Sequence, residues 1–401
     1  MESLVDLLSS REEWDRFVSC HRFEPWYLSK LHKFISEERY LAILNDIEKG
    51  NFDIFIPTKI EIRKKGVLKK RIVYKYKDDV QFVFQFLNSK LTKYDSFLSD
   101  RCYSYRKHYS IANAIKFFQS IDNLENKYIL KIDVRNFFNS IDPDILISML
   151  SDVLVDDHKL LSFFTEILRL GKFFFKGNLL KEQPMGAIPG CPISGFCANI
   201  YLTKLDNLLS GENANFVRYA DDIVIIADSI EYAQYYLRII GDMFKKLKLS
   251  FNLDKTSIFG PSQEWEFLGF GFCGSEVFIS RFTINKTLKY IKRTAKEINR
   301  SIQMNLVSKD DGVKDFINFY KNKFFGYEYK KQFNTFCWEK WFFPYISKPY
   351  GLKEIDKQLI KYIRFLQSGC HSKANYKLRY NTIQKLGFES LYNHFYKRLK
   401  G

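Results

Sequence analysis

A chain of 401 residues with 46% hydrophobic residues is long enough for two or three subdomains around a substantial core, which rules out a disordered segment or a small stapled module. The net charge of +17 lies wholly in residues 281–401, where 26 Lys and Arg stand against 9 Asp and Glu, while residues 1–280 carry 37 of each. A neutral body with a basic C-terminal module points to a held polyanion, nucleic acid ahead of a membrane surface, because no stretch is long and apolar enough to insert.

The seven cysteines are scattered and never spaced as C-x-x-C, so neither a disulfide framework nor a zinc site is expected. The start, Met1-Glu-Ser-Leu-Val-Asp6, has no charged-then-apolar leader pattern and points to a reducing cytoplasm. With 39 Phe and 25 Tyr the chain can build a core and still present rings to stack on bases.

In chain order, residues 1–50 read as helical, with Leu28, Leu31, Phe34 and Ile35 at helical spacing. Two alternating runs between Thr58 and Tyr76 flank Lys65-Gly66 and predict a hairpin. Eight cations crowd it, Lys70 and Arg71 among them, which suits either a lysine-protected edge or a clamp for triphosphate or template. Helical patterns continue over 79–91 and 111–120. Tyr128-Ile-Leu-Lys-Ile-Asp-Val134 is an apolar strand interrupted by Asp133, and a carboxylate in that position is rarely there for stability.

Helices are expected over 144–171, then a Gly/Pro-rich loop from Gln183 to Ser194 that opens a helix through Asn199 to Leu208. The stretch Phe216-Val-Arg-Tyr-Ala-Asp-Asp-Ile-Val-Ile-Ile-Ala227 sets Asp221 and Asp222 between two strand-forming runs. Adjacent carboxylates beside buried strands need a cation, a partner or a proton; a polar turn is the plainer alternative. A helix over 232–247, a strand signal at Glu266–Phe270 and an amphipathic helix carrying Ile284, Leu288, Ile291, Ala295, Ile298 and Ile302 complete the pattern. A loop is expected around Lys309-Asp-Asp-Gly312. Asp133, Asp221 and Asp222 meet if their strands are neighbours in one antiparallel sheet, and three carboxylates at one point make a two-metal site.

In order and spacing these motifs resemble those of reverse transcriptases. Tyr219-Ala-Asp-Asp222 resembles the family's catalytic hairpin and Asp133-Val-Arg-Asn-Phe-Phe138 its first acidic motif. Gly66, Lys70, Arg71 and Asp79-Val-Gln81 are similar to the fingers block of intron-encoded and bacterial members. Cys102-Tyr-Ser-Tyr-Arg106 with Ala114-Ile115, Pro192-Ile-Ser194 with Ala198-Asn-Ile-Tyr-Leu202, Asn252-Leu-Asp-Lys-Thr256 and Phe267-Leu-Gly-Phe270 match the other blocks, so the resemblance spans roughly 54–275.

The resemblance implies an α+β right-hand polymerase fold. It comprises an N-terminal helical extension over 1–50, fingers over 51–127, a palm of antiparallel sheet plus helices over 128–275 with inserted fingers elements at about 144–190, and a basic helical thumb and C-terminal region over 276–401. It implies RNA-directed DNA synthesis with two Mg²⁺ ions, Mn²⁺ as a substitute, held at Asp133, Val134, Asp221 and Asp222. Lys255 stands where a general acid could protonate pyrophosphate, with a structural salt bridge as an equal reading. Lys70 and Arg71 would hold triphosphate, Phe138 would exclude a ribose 2′-hydroxyl, and Pro189 and Gly190 would line the nucleotide loop. Arg106, Lys289, Lys292, Lys296 and Arg300 would bind nucleic acid. The implied partners are an RNA template, dNTPs and the DNA product, with a companion protein or a second copy of the chain allowed and no membrane.

One departure is in the nucleotide loop, where Ile188-Pro-Gly190 replaces the usual Pro-Gln-Gly and Pro189 stands for the Gln that touches nucleotide or template. No RNase H or HNH-like cluster and no Val-Thr-Gly thumb tripeptide of retron type occurs. The pattern is most similar to stand-alone, defence-associated bacterial enzymes that work with a noncoding RNA. Template-independent or protein-primed synthesis, and an inactive RNA-binding protein on the same fold, are the alternatives; intact acids weigh against the last.

Overall fold

The structure is a computed structural model that describes residues 2–63, 70–181, 186–187, 190–326, 336–370 and 378–400. Its chain divides into two compact units, one of residues 1–114 with 128–258, the other of 115–127 with 259–401.

The first unit begins with the helices Arg11–Cys20, Pro25–Ser36 and Arg39–Glu48. Their apolar stripes converge on Trp14, which is fully buried and stacks on Phe86 of the helix Asp78–Lys90 at 4.3 Å between ring centroids. This stack ties the N-terminal helices to the helix Asp78–Lys90. A second tie is Asp157, 3% exposed, whose carboxylate accepts from Ser3 Oγ, the Leu4 amide and the Leu160 amide, so it caps the helix His158–Arg169 while holding the N-terminus. Asp157→Ala leaves these donors unpaired and is expected to cost about 2 kcal/mol, read by denaturant unfolding.

The expected hairpin forms as strands β1 (Thr58–Arg63) and β2 (Lys70–Lys75), paired antiparallel. Strand β3 (Tyr128–Asp133) comes next in the chain. A second hairpin, β4 (Lys172–Phe175) and β5 (Asn178–Lys181), was not expected from the sequence because four-residue strands are too short to show alternation. β4 runs parallel to β1, which makes a sheet in the order β2-β1-β4-β5.

The other sheet of this unit has the order β6-β7-β3-β8, formed by β3 with β6 (Asn215–Tyr219), β7 (Asp222–Ala227) and β8 (Ser257–Phe259). β7 is buried from Ile223 to Ala227 because the helix Ile230–Lys246 packs on one face and other core side chains cover the second. An uninterrupted apolar run is what such double coverage demands.

The second unit holds the sheet β9 (Trp265–Phe267), β10 (Phe270–Cys273) and β11 (Glu276–Ile279), of which only the first was foreseen. Its helices Arg281–Gln303, Lys309–Phe325, Leu352–Ser368 and Leu391–Lys400 pack on one another. The first buries Ile284, Thr287, Ile291, Ala295, Asn299 and Ile302, a stripe close to the expected one but with two polar members.

The loop expected at Lys309–Gly312 is instead the first turn of a helix. Ser308 accepts from the Asp311 amide, and Asp310 and Asp311 sit at the positive end of the dipole. Gly312 is tolerated there because a Cβ would lie 2.8 Å from Ile302 Cδ1.

Candidate active site

β3 and β7 are antiparallel neighbours, and their register sets Asp133 opposite Asp222. β6 and β7 close with Tyr219 opposite Asp222, leaving Ala220 and Asp221 as a two-residue turn. Such a turn needs a positive φ at its first central position, and Ala220 supplies it at φ +56°. The hairpin therefore carries Asp221 to the end of the strand pair where Asp133 and Asp222 lie.

The acids press on one another. Burial, then the charges of Asp222 and Asp133, push the Asp221 carboxyl up to about 6. Asp222 is also raised, by burial first and by the charge and hydrogen bond of Asp133, against the pull of Lys131 and Lys255. Asp133 is 5% exposed; its Oδ1 accepts from Asn252 Nδ2 at 2.6 Å and its Oδ2 lies 2.7 Å from Lys255 Nζ. Burial works against the charge on Lys255, yet its bond to Asp133 and the nearby carboxylates outweigh it and raise the ammonium pKa.

Asn252 belongs to one of the matching motifs, yet no role of its own was expected for it from its spacing. Its backbone amide also donates to the Asp133 carbonyl, so it grips that residue at two points. The sequence signal for it is its place three residues before Lys255.

Three carboxylates are hard oxygen donors of the kind Mg²⁺ and Mn²⁺ take, and Asp221 and Asp222, raised first by burial and then by neighbouring acids, would be relieved by a divalent cation. The donor set fits. Among the described residues no three acids already converge as a finished cage, and Asn252 and Lys255 each engage one oxygen of Asp133. Val134 is buried beside Phe251 and could offer a cation only its carbonyl.

Phe138 lies in the turn of helix Phe137–Ser140 that succeeds β3, its ring partly buried against Phe137 and Tyr105. Its carbonyl accepts from the Ala187 amide, and a Cβ on Gly186 would fall 1.9 Å from that oxygen. Gly190, at φ +103°, passes so close to β2 that a Cβ would meet the Tyr74 carbonyl at 2.6 Å. The loop thus joins the Phe138 turn to the strand that begins with Lys70 and Arg71. The side chains of those two, and Pro189, lie outside the described residues.

Arg106 does not present itself to phosphate. Its side chain is 4% exposed, donates to the carbonyls of Ser99, Cys102 and Asp95 and stacks 3.7 Å from the Tyr109 ring centroid. It holds its own loop. In the second unit Lys289, Lys292, Lys296 and Arg300 are all exposed on the face of helix Arg281–Gln303 away from its buried stripe.

The site and its sheet are those of a nucleic-acid polymerase palm, and the chain belongs to the reverse transcriptase (RNA-dependent DNA polymerase) family, whose model matches residues 62–272. The fold is the α+β right hand of that family. Among curated proteins the chain is similar to the retron Ec83 reverse transcriptase of Escherichia coli, 33% identical over 100 residues that make up 24% of this chain and 31% of that protein.

Among solved structures, telomerase from Candida albicans in complex with a fragment of telomeric RNA is 14% identical with a TM-score of 0.45, over 86% of this chain and 66% of that one. Apo telomerase from Candida tropicalis truncated from its C-terminal domain is 14% identical with a TM-score of 0.43, over 56% and 55%. The match spans less than a third of the curated relative's length.

Proposed function

We propose that this protein is an RNA-directed DNA polymerase that works by two-metal nucleotidyl transfer. The observation that carries the reading is the β3–β7 register, which sets Asp133 against Asp222 with Asp221 in the adjoining turn. Bound Mg²⁺ would supply activation of a primer 3′-hydroxyl and stabilise charge on the departing pyrophosphate. Asp133, Asp221 and Asp222 would hold the cations. Asn252 and Lys255 keep the Asp133 carboxylate aimed, and Phe138 stands under the sugar. The reading is tested with purified protein, Mg²⁺, labelled dNTPs and either a primed RNA template or none. Template-dependent incorporation supports it, incorporation without template points to the untemplated alternative, and no incorporation in either refutes both.

Lys255 remains protonated at neutral pH because its pKa is raised, so it has a proton to give as well as a carboxylate to hold. Lys255→Ala is expected to slow incorporation about 10²-fold. If the proton matters, Lys255→Arg, which keeps the ion pair with a group that does not release its proton, stays slow; full recovery with arginine would leave only the salt bridge.

The exposed row of Lys289, Lys292, Lys296 and Arg300 is the proposed track for phosphates. Neutralising all four is expected to flatten the slope of log K against log salt by about three to four for a duplex, read by filter binding across a salt series. A slope equal to that of the wild type removes the row from the interface.

Resemblance to stand-alone defence-associated enzymes extends the proposal to an antiviral role with a dedicated noncoding RNA, in the cytoplasm and with a companion protein where one exists. Phage plating on cells with the wild-type or the Asp221→Asn, Asp222→Asn gene, combined with sequencing of the copurifying RNA and DNA, tests that part.

A further inference from the structure

Arg218, three residues before Asp221, is 0% exposed. Its Nε and Nη2 donate to the two oxygens of Asp206 at 2.7 and 2.6 Å, and Nη1 donates to Asn199 Oδ1 at 3.1 Å and to the Ala220 carbonyl at 3.2 Å. Burial works against the guanidinium charge, and Asp206 more than offsets it. Asn199 Nδ2 donates in turn to the Ser104 carbonyl at 2.8 Å. Ser104 Oγ, also buried, accepts from the Ala220 amide at 2.7 Å. Backbone bonds from Tyr103 N to Arg218 O and from Arg218 N to Arg101 O pin the same segment along β6.

Both backbone polar groups of Ala220 are therefore held by buried side chains, its amide by Ser104 from outside the hairpin and its carbonyl by Arg218 from β6. Ala220 is also the residue that needs holding: a non-glycine side chain disfavours its left-handed conformation, and its rotation decides where Asp221 points. A buried ion pair is a poor device for stability, since apolar residues of the same volume serve as well or better. It is a good device for fixing one geometry, because the guanidinium has directional partners on the helix Thr203–Gly211, the helix Ser194–Tyr201 and the turn itself.

We infer that Arg218, Asn199 and Ser104 are positioning residues that lock Ala220 in its left-handed conformation and so aim Asp221 at the cation site. All three are fully buried, so they act through Ala220 and Asp221. The inference rests on the proposed polymerase reading for its kinetic part only, because cation binding by the free protein can be measured without nucleic acid.

The test uses the full chain with Ser104→Ala, which deletes one hydroxyl and leaves the Arg218–Asp206 pair intact, and Ser104→Cys, of near-equal volume, as the second variant. Mn²⁺ affinity of the free protein is measured by calorimetry, and Mg²⁺ dependence by primer extension. Losing the Ser104 hydroxyl, which accepts from the Ala220 amide and donates to Asn199 Oδ1 at 3.3 Å, is expected to weaken Mn²⁺ binding, and to raise the half-saturating Mg²⁺, about fivefold. RNA affinity and KM for dNTP should stay within about twofold. Adding Ala220→Gly, which removes the conformational cost of a positive φ, should recover much of the loss. Unchanged Mn²⁺ affinity in both serine variants, or no recovery with glycine, overturns the inference. A wild-type protein that binds Mn²⁺ yet extends no primer defeats the polymerase reading while leaving this comparison intact.

Discussion

Replacing Asp221 and Asp222 together by asparagine is expected to lower DNA synthesis by on the order of 10³-fold or more, to leave RNA affinity nearly unchanged, and to make the metal-free protein more stable at neutral pH. The three outcomes share one cause. The carboxylates are not needed by the sheet: Asp221 is held at about 6 by burial and by its acidic neighbours, and Asp222 is raised as well.

A carboxyl with a higher pKa in the folded state than in the unfolded chain binds its proton more tightly when folded. Its favourable contribution is present below the unfolded value near 4 and is lost as pH climbs toward 6. At pH 7 without metal the native state therefore carries a burden on the order of 3 kcal/mol from Asp221 alone. An amide of the same shape does not titrate and removes it. The wild type should accordingly melt lower at pH 7 than the double variant in chelator, and Mg²⁺ should raise the melting temperature of the wild type only. Synthesis that survives in the variant, or a melting temperature that falls, would detach these acids from the chemistry.

The placement of these acids is readable in the sequence because each adjoins an apolar strand, where charge is expensive. The parts that hold them in position are less visible. The clamp on Ala220 joins Ser104, Asn199, Asp206 and Arg218, with the Ser104–Ala220 bond spanning 116 residues, through single hydrogen bonds with no periodic trace. Arg218 has every appearance of a strand residue near a catalytic motif, and only its complete burial shows that it serves the turn.

The reverse holds at Arg106, which looks like a phosphate ligand by its motif but spends its donors on carbonyls of its own loop. A basic residue's sequence context does not reveal whether its charge faces solvent. The short strands β4, β5, β10 and β11 escape a sequence reading in part because four residues hold too little pattern, whereas the long amphipathic helix Arg281–Gln303 is apparent from its repeats.

Phe138→Ala is expected to reduce the preference for dNTP over rNTP about 10- to 100-fold, measured as the ratio of kcat/KM for the two nucleotides on one primed RNA. The ring can act as a gate only if it cannot step aside, and the structure supplies the restraint. Its backbone carbonyl is held by the Ala187 amide, and its ring edge meets Tyr105 at 6.4 Å between centroids with the planes at 78°. Gly186 approaches the Phe138 carbonyl so closely that no side chain fits between them.

A hydroxyl that must displace a ring braced on two sides meets packed aromatic carbon, and removing the ring opens a space of about its size. dNTP turnover should fall less than rNTP turnover rises, because the sugar without a 2′-hydroxyl never used that space. Phe138→Tyr, which keeps the ring, should retain the preference. Gly186→Ala, which forces the Phe138 carbonyl away, should weaken it without touching the ring itself. An unchanged ratio in Phe138→Ala refutes the gate. A changed ratio in Phe138→Ala with none in Gly186→Ala would mean that the ring keeps its place through Phe137 and Tyr105 without the glycine loop.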